Sequence, residues 1–531
     1  MLRQQYLKRF TISLTIAAMI AYLLMSGLLS AQWSVYVDHD IVVHLGDDRK
    51  VHVEEVLPLV LETEVGYPGE TTRYRPTYYL SWVLESFLWG DSPRSWYRAR
   101  ILFLAIFLSG VIFWLQRSTG WFCAAGLTTL LSATPGFRAV WIGLGNGEQY
   151  FSAFGALYFL LLSYAAYHVT ETKSMRLRAC WLGILILGLW VIGIKENMVV
   201  MVAPPVALTV FQAWRLRRTD YWSLTVSALL TLYTVGIVLA VSTGILAQQS
   251  DFYGTAITPT ERISSVFKYL LSLPLVVPSS IISIMTIALL IPLNEATKRA
   301  LMVAWRPLII LYGGLLLHVI FYNGWPTNSR YSSPGELLLF AFMVVTIGNI
   351  PHIFGWQIHR NYQRVLVLSG VVPWLVFAFH SLPSMHRDIA AFVSRSQQYT
   401  ATLAEITMAA RENLARPIIF KSAHPADFEA IFAVNRFLKY SGTSNALILD
   451  NLPIVEPYPS QDFFAQLRSV LETLAVSGED VPIGAAGTLP SRYGAVFTPK
   501  HLAPSDAGCI AVFFQRAMDN SACEKVFRVT Y

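Results

Sequence analysis

Arg73-Tyr74-Arg75-Pro76-Thr77-Tyr78-Tyr79-Leu80-Ser81-Trp82-Val83-Leu84-Glu85-Ser86-Phe87-Leu88-Trp89-Gly90 is an aromatic run with arginines at its head and one acid, Glu85, inside it. It belongs to a polar stretch, Gln32 to Tyr97, that begins near Val37-Asp38-His39-Asp40 and separates the first two long apolar segments. Acids, arginines and rings that are wet on one edge suit the point where an apolar helix has just left a bilayer. The stretch therefore predicts a membrane-surface loop that handles a charged, lipid-linked substrate.

The composition around it agrees. A mean hydropathy of +0.48, with 54% apolar and only 14% charged residues over 531 positions, describes a polytopic α-helical membrane protein. The formal charge of +7 is spread over short basic clusters between apolar spans, so it is no nucleic-acid footprint. Four cysteines exclude a disulfide-rich scaffold. Met1 to Phe10 is short and basic, and the apolar run behind it lasts to about Leu29. That is longer than the core of a signal peptide, and predicts a retained first span.

Eleven apolar spans follow, centred near Ala21, Ile106, Thr128, Tyr158, Ile186, Pro205, Tyr233, Ile281, Gly314, Phe342 and Pro373. The third is short and is interrupted by Pro135-Gly136. Basic turns at Arg3/Lys8/Arg9, Arg117, Lys173/Arg176/Arg178, Arg215/Arg217/Arg218, Lys298/Arg299/Arg306 and Arg360/Arg364 all fall on one side, which the positive-inside rule makes cytoplasmic. The predicted organisation is a transmembrane domain over 1–382 with an exterior loop, 33–97, and a soluble exterior α/β domain over 383–531. The expected setting is a bacterial inner membrane with that domain in the periplasm. Within it Pro417–Lys421, Asn445–Leu449, Cys509–Gln515 and Cys523–Tyr531 read as strands, and Asp427–Tyr440 and Ser460–Val476 as helices. In an oxidising compartment Cys509 and Cys523 are expected to form a disulfide, with Cys123 and Cys180 reduced. Thr77–Trp89 reads either as an interfacial helix, with Tyr79, Trp82, Val83 and Phe87 in the headgroup layer, or as a helix packed on the bundle.

The chemistry lies at the span ends. A carboxylate just beyond the first span, Asp38 or Asp40, can serve as general base for an acceptor hydroxyl. The pair can also hold a divalent cation, or be two solvated loop acids. Asp38, nearer the span end, is the preferred base, with Glu148 as the next acid to consider. His39, His44 and His52 match no metal-ligand spacing, so beyond that cation no cofactor is expected. Arg73, Arg75, Lys195 and Arg330 supply fixed positive charge of the kind a phosphate leaving group needs. Lys195-Glu196 breaks an apolar stretch from Cys180 to Val210. Such a pair has either a partner or a task, unless it is simply an exposed turn.

Four elements in order resemble the GT-C membrane glycosyltransferases, and among them the O-mannosyltransferases. They are Arg73-Tyr74-Arg75-Pro76 with its aromatic continuation to Tyr97; Pro135 through Trp141-Ile142 to Glu148; Gly193-Ile194-Lys195-Glu196 with Pro204-Pro205; and Arg330-Tyr331-Ser332-Ser333-Pro334-Gly335. The resemblance implies a polyprenyl-phosphate-sugar donor and inverting transfer on the exterior face to a glycan, lipid or protein acceptor. It places Asp38 or Asp40 as base, and Arg73, Tyr74, Arg75, Glu148, Lys195, Glu196, Arg330 and Tyr331 around the substrates. It also departs from the family: tetratricopeptide repeats are absent, and the acidic pair is split by His39. Other classes that handle the same lipids are a surface-polysaccharide ligase or polymerase and a lipid-linked-sugar transporter or flippase. A transporter calls for charge at mid-span and related halves, and neither is visible here.

Overall fold

The computed structural model describes residues 2–35, 38–42, 44–45, 48–69, 73–168, 174–215, 220–248, 371–421, 428–451, 481–483, 495–497, 508–514 and 523–529. These residues are mostly helical, with a small sheet in the C-terminal region. Five helical segments are long and apolar enough to cross a membrane: Lys8–Ser30, Pro93–Gln116, Met175–Ile192, Glu196–Trp214 and Tyr221–Leu246. The spans read near Ile281, Gly314 and Phe342 lie outside the described residues, as do Arg330, Tyr331 and the helix read over Ser460–Val476.

In chain order the helices are α1 (Leu2–Met25), α2 (Asp38–Val42), α3 (Val53–Leu61), α4 (Pro76–Trp89), α5 (Pro93–Thr129), α6 (Pro135–Trp141), α7 (Gly147–Tyr167), α8 (Met175–Ile192), α9 (Ala203–Arg215) and α10 (Tyr221–Gln248). After a π-helical turn at Phe377–Ser381 come α11 (Leu382–Glu412) and α12 (Phe428–Tyr440). Proline opens α4, α5 and α6, where its missing N–H would have no helical partner in any case. The α5 helix breaks at Gly120, whose φ of 76° is the left-handed region glycine tolerates. The junction between the second and third apolar stretches is therefore Gly120 rather than Arg117. The returning helix, Trp121–Ala133, is shorter than the roughly 20 residues a span needs.

Three helices pack in sequence, α5 on α7 and α7 on α8, while α1 lies along α5. Small residues allow the close approaches. A Cβ at Gly110 would come within 2.9 Å of the Ala156 Cβ, and one at Gly188 within 2.9 Å of Leu230.

The C-terminal region holds a four-stranded parallel sheet in the order β2-β1-β5-β6, with β1 Ile418–Lys421, β2 Leu447–Asn451, β5 Ile510–Phe514 and β6 Lys525–Val529. Strands β3 (Val481–Ile483) and β4 (Ala495–Phe497) form a separate antiparallel pair. All five residues of β5 are buried, as expected for a strand covered on both faces, whose sequence is a continuous apolar run. Helix α12 makes the β1-to-β2 crossover that parallel strands require. The expected strands at 417–421, 445–449, 509–515 and 523–531 are all present, shifted by at most two residues at their ends.

Helix α11 was not anticipated. It runs unbroken from the π-helical turn into the sheet region, across the boundary drawn at 382/383. Its buried residues Ile389, Ser396, Tyr399, Leu403, Ile406 and Ala410 repeat at helical spacing. It presses on the end of α1, where a Cβ at Gly27 would meet Ile389 Cγ2 at 2.9 Å. Arg138 of α6 pairs with Asp388 at 2.8 Å, and Ser396 Oγ accepts from the Gln32 backbone N at 3.1 Å. One apolar core consequently runs from Leu24 and Leu104 through Ile389 and Ile406 to Phe420 and Val512.

Cys509 and Cys523 are disulfide-bonded, tying the neighbouring N-terminal ends of β5 and β6, while Cys123 and Cys180 are free and buried. Thiol labelling of denatured, unreduced protein should therefore find two reactive cysteines. Labelling of four would refute the bridge.

Candidate functional site

The polar loop residues converge where α4, α7 and α8 end together. Pro76 starts α4, and Thr77 immediately ties it to the last turn of α8. Its N–H donates to Gly193 O at 3.2 Å and its hydroxyl to Trp190 O at 2.5 Å. Trp190 Nε1 donates back to Ser81 Oγ at 3.0 Å. Tyr78 Oη donates to Gly145 O at 2.7 Å, fixing the entry to α7. Gly193 is required by packing, because a Cβ there would fall 2.3 Å from Tyr233 Oη of α10.

This framework corrects one reading of Thr77–Trp89. Tyr79, Trp82 and Val83 are buried, so α4 is a packed helix, and only Phe87, Leu88 and Trp89 at its end are exposed. Glu85, the one acid in the aromatic run, is buried too, and bonds Arg100 of α5 together with Tyr150 of α7. Arg100 Nη2 also donates to Tyr150 Oη at 3.1 Å, and its guanidinium lies 4.8–5.7 Å from the rings of Tyr150, Phe103 and Trp96. A buried charge held this way is offset by its carboxylate and by the ring faces around it.

Arg75 sits between two acids. Its Nε and Nη2 donate to Glu64 Oε1 and Oε2 at 3.1 and 3.3 Å, a two-pronged pair with a carboxylate that is 1% exposed. Glu196 approaches at 3.6 Å, a charge contact too long for a hydrogen bond. Arg75 Nη2 also donates to Tyr79 Oη at 2.9 Å, and that hydroxyl donates on to Glu64 at 3.4 Å. Burial works against the guanidinium charge, but Glu64, then Tyr79 and Glu196, outweigh it and hold the Arg75 pKa well above the usual arginine value. Burial pushes the Tyr79 hydroxyl well up against the opposing pull of Arg75, so it remains a donor. Lys195 is ion-paired to Glu148, next to Gly147, whose Cα faces Tyr78 and Ile194. Lys195-Glu196 is thus no exposed turn: both side chains are nearly covered, at 14% and 11% exposure, and both face a partner.

Among the sequence-predicted residues, Arg75, Glu148, Lys195 and Glu196 come together. Tyr74 flanks them, its hydroxyl pushed up by burial and by Glu64, and Arg73 is half-buried beside it. Asp38 is fully buried, with Oδ2 accepting from the Ser34 backbone N at 2.7 Å. Tyr97 lies in electrostatic reach of both Asp38 and Arg100, which joins the acid of α2 to the same polar layer. From the other side Tyr399 of α11 feels Asp38, its hydroxyl pushed well up by burial first and by that charge second. Helix α2 itself packs on α12 and on α4. The position of Asp40 on α2 is described; its side chain is not.

Sequence reading gave no site role to Glu64, Tyr79, Glu85, Arg100 or Tyr150. Glu85 carried a signal, since a lone acid inside an aromatic run needs a cation when it is buried. Among the described residues no group of three or more His, Cys, Asp or Glu side chains could hold a metal ion. The chain matches no protein-family model, no curated protein and no solved structure.

Proposed function

We propose that the chain is an integral-membrane glycosyltransferase that moves a sugar from a polyprenyl phosphate to an acceptor hydroxyl at the membrane surface. The observation that carries this reading is the polar layer at the ends of α4, α7 and α8. There Arg75 and Lys195 meet Glu64, Glu148 and Glu196 at the level where apolar helices stop. Fixed cations at that depth suit a phosphate on a membrane-embedded chain, since the leaving phosphate needs charge more than it needs a proton.

The layer is already neutralised. A phosphate must displace a carboxylate, and Glu196, 3.6 Å from Arg75 and without a hydrogen bond to it, is the weaker tie. On this reading Glu196 turns aside as the donor enters, Glu64 keeps Arg75 in place, and Arg73, Tyr74, Arg330 and Tyr331 complete the donor site. Acceptor activation falls to the acids of α2. A base must touch the acceptor, and Asp38 is fully buried, accepting from the Ser34 backbone N–H. Asp38 therefore positions α2, and Asp40 takes the proton as the acceptor oxygen attacks.

The wider reading counts the short Trp121–Ala133 helix as a span, which a locally thinned bilayer can accommodate, and so gives eleven spans, a cytoplasmic N-terminus and a periplasmic α/β domain in a bacterial inner membrane. Reporter fusions after Arg218 and after Tyr531 should report opposite sides, and the same side for both would overturn it. Purified protein given radiolabelled polyprenyl-phosphate hexoses and pentoses should move label into a membrane-lipid extract, and repeating the assay with chelator decides whether a cation takes part. No transfer from any donor by folded protein would sink the assignment.

A further inference from the structure

Helix α3 is nine residues long, begins in a reciprocal cap between His52 and Glu55, and divides into two faces. Leu59 and Val60 are buried, with Val56 packed beside them, against α4. About 100° round the helix from that face, Val53, Leu57 and Leu61 follow at every fourth position and are 70%, 65% and 48% exposed. A stripe of that width on a short loop helix needs an occupant.

The backbone beyond α3 gives its depth. The chain doubles back at once, since a Cβ at Gly66 would overlap the Leu61 carbonyl at 1.8 Å. It then runs to Gly69, where φ is +89° and a Cβ would come within 2.5 Å of Thr243 Oγ1 and 3.8 Å of Ala240 O. Thr243 and Ala240 belong to Tyr221–Leu246, one of the five apolar segments long enough to span a bilayer. On that helix Leu239 and Leu246, one turn either side of Thr243, are 59% and 77% exposed. The loop that leaves the Leu61 end of α3 is thus held against an apolar span within eight residues.

We propose that α3 is an interfacial helix, with Val53, Leu57 and Leu61 inserted into the headgroup and upper acyl layer of the bilayer. The occupant is lipid, recognised through apolar contact alone. The helix carries Glu54 and Glu55 and no lysine or arginine, so anionic lipid adds no attraction. The inference rests on the apolar helices crossing a bilayer, and not on the proposed reaction.

The test uses the full chain in phosphatidylcholine vesicles, with Cys123 and Cys180 replaced by alanine and one nitroxide-labelled cysteine introduced at a time. Labels at Val53→Cys, Leu57→Cys and Leu61→Cys should collide with lipid-soluble oxygen in preference to a water-soluble nickel chelate. Those at Glu54→Cys and Glu62→Cys should show the reverse, and adding anionic lipid should leave the pattern unchanged. Leu239→Cys is the control: if it too is water-accessible, the membrane reading itself fails. With that control in lipid, the proposal is overturned if the α3 labels meet the chelate as freely as Glu54→Cys. It is also overturned if they are closed to both reagents, as a covering protein surface would make them, or reach oxygen only with anionic lipid.

Discussion

Replacing Arg75 by alanine is expected to abolish transfer and to destabilise the protein together. The change leaves Glu64, 1% exposed, as a buried carboxylate without its two-pronged partner. Removing one member of such a pair costs about 3–5 kcal/mol. The double variant Arg75→Met with Glu64→Gln removes both charges, and the amide oxygen can still accept from Tyr79. It should recover most of the lost thermal stability and none of the activity. Thermal unfolding in detergent, measured beside donor binding, separates the two effects. A double variant that regained transfer would show that Arg75 holds the fold and nothing else.

Asp40→Asn is expected to lower the transfer rate by two to four orders of magnitude, the usual effect of losing a general base, or about 3–5 kcal/mol of barrier. Its unfolding midpoint and donor affinity should match the parent. Asp38→Asn should behave differently, because an amide there puts an N–H donor in place of a fully buried carboxylate oxygen and weakens the anchor of α2. It should lower stability by about 1–3 kcal/mol as well as rate. A stable Asp38→Asn enzyme that had lost transfer, beside a normal Asp40→Asn, would give the base role back to Asp38. Normal rates in both would move it to Glu148.

Some of this architecture was legible in the sequence, for identifiable reasons. Ile418–Phe420 and Ile510–Phe514 announce buried parallel strands because such strands are short continuous apolar runs between turn signals. The first, second, fifth, sixth and seventh spans read from the sequence have matching helices because a run of about 20 apolar residues has few other uses in water. The charged layer was half legible. Arg75 and Lys195 stand out against apolar neighbours, yet nothing in their spacing says that Glu64, eleven residues earlier, or Glu148, forty-seven earlier, will close on them. Which charges pair depends on how α4, α7 and α8 meet, and that is a tertiary fact. Helices α3 and α11 were missed for different reasons. The first is short and contains Pro58. The second had a readable period from Ile389 to Ala410, hidden by serines, threonines and glutamines that dilute its apolar average.

The unbroken run of α11 has a mechanical meaning. It leaves the π-helical turn at Phe377–Ser381 and ends against the sheet, 31 residues on, a rod of about 46 Å at 1.5 Å per residue. A π-turn is a common place for a helix to bend, so the rod has a pivot at one end and a payload at the other. A swing of about 5° at the pivot carries the far end through about 4 Å over that length. Because α12 at the far end also touches α2, such a swing would tug on the acids of that short helix. The sheet and the last apolar segment are thus the two ends of one continuous rod, braced near Asp388 and Ser396 by α6 and the chain after α1.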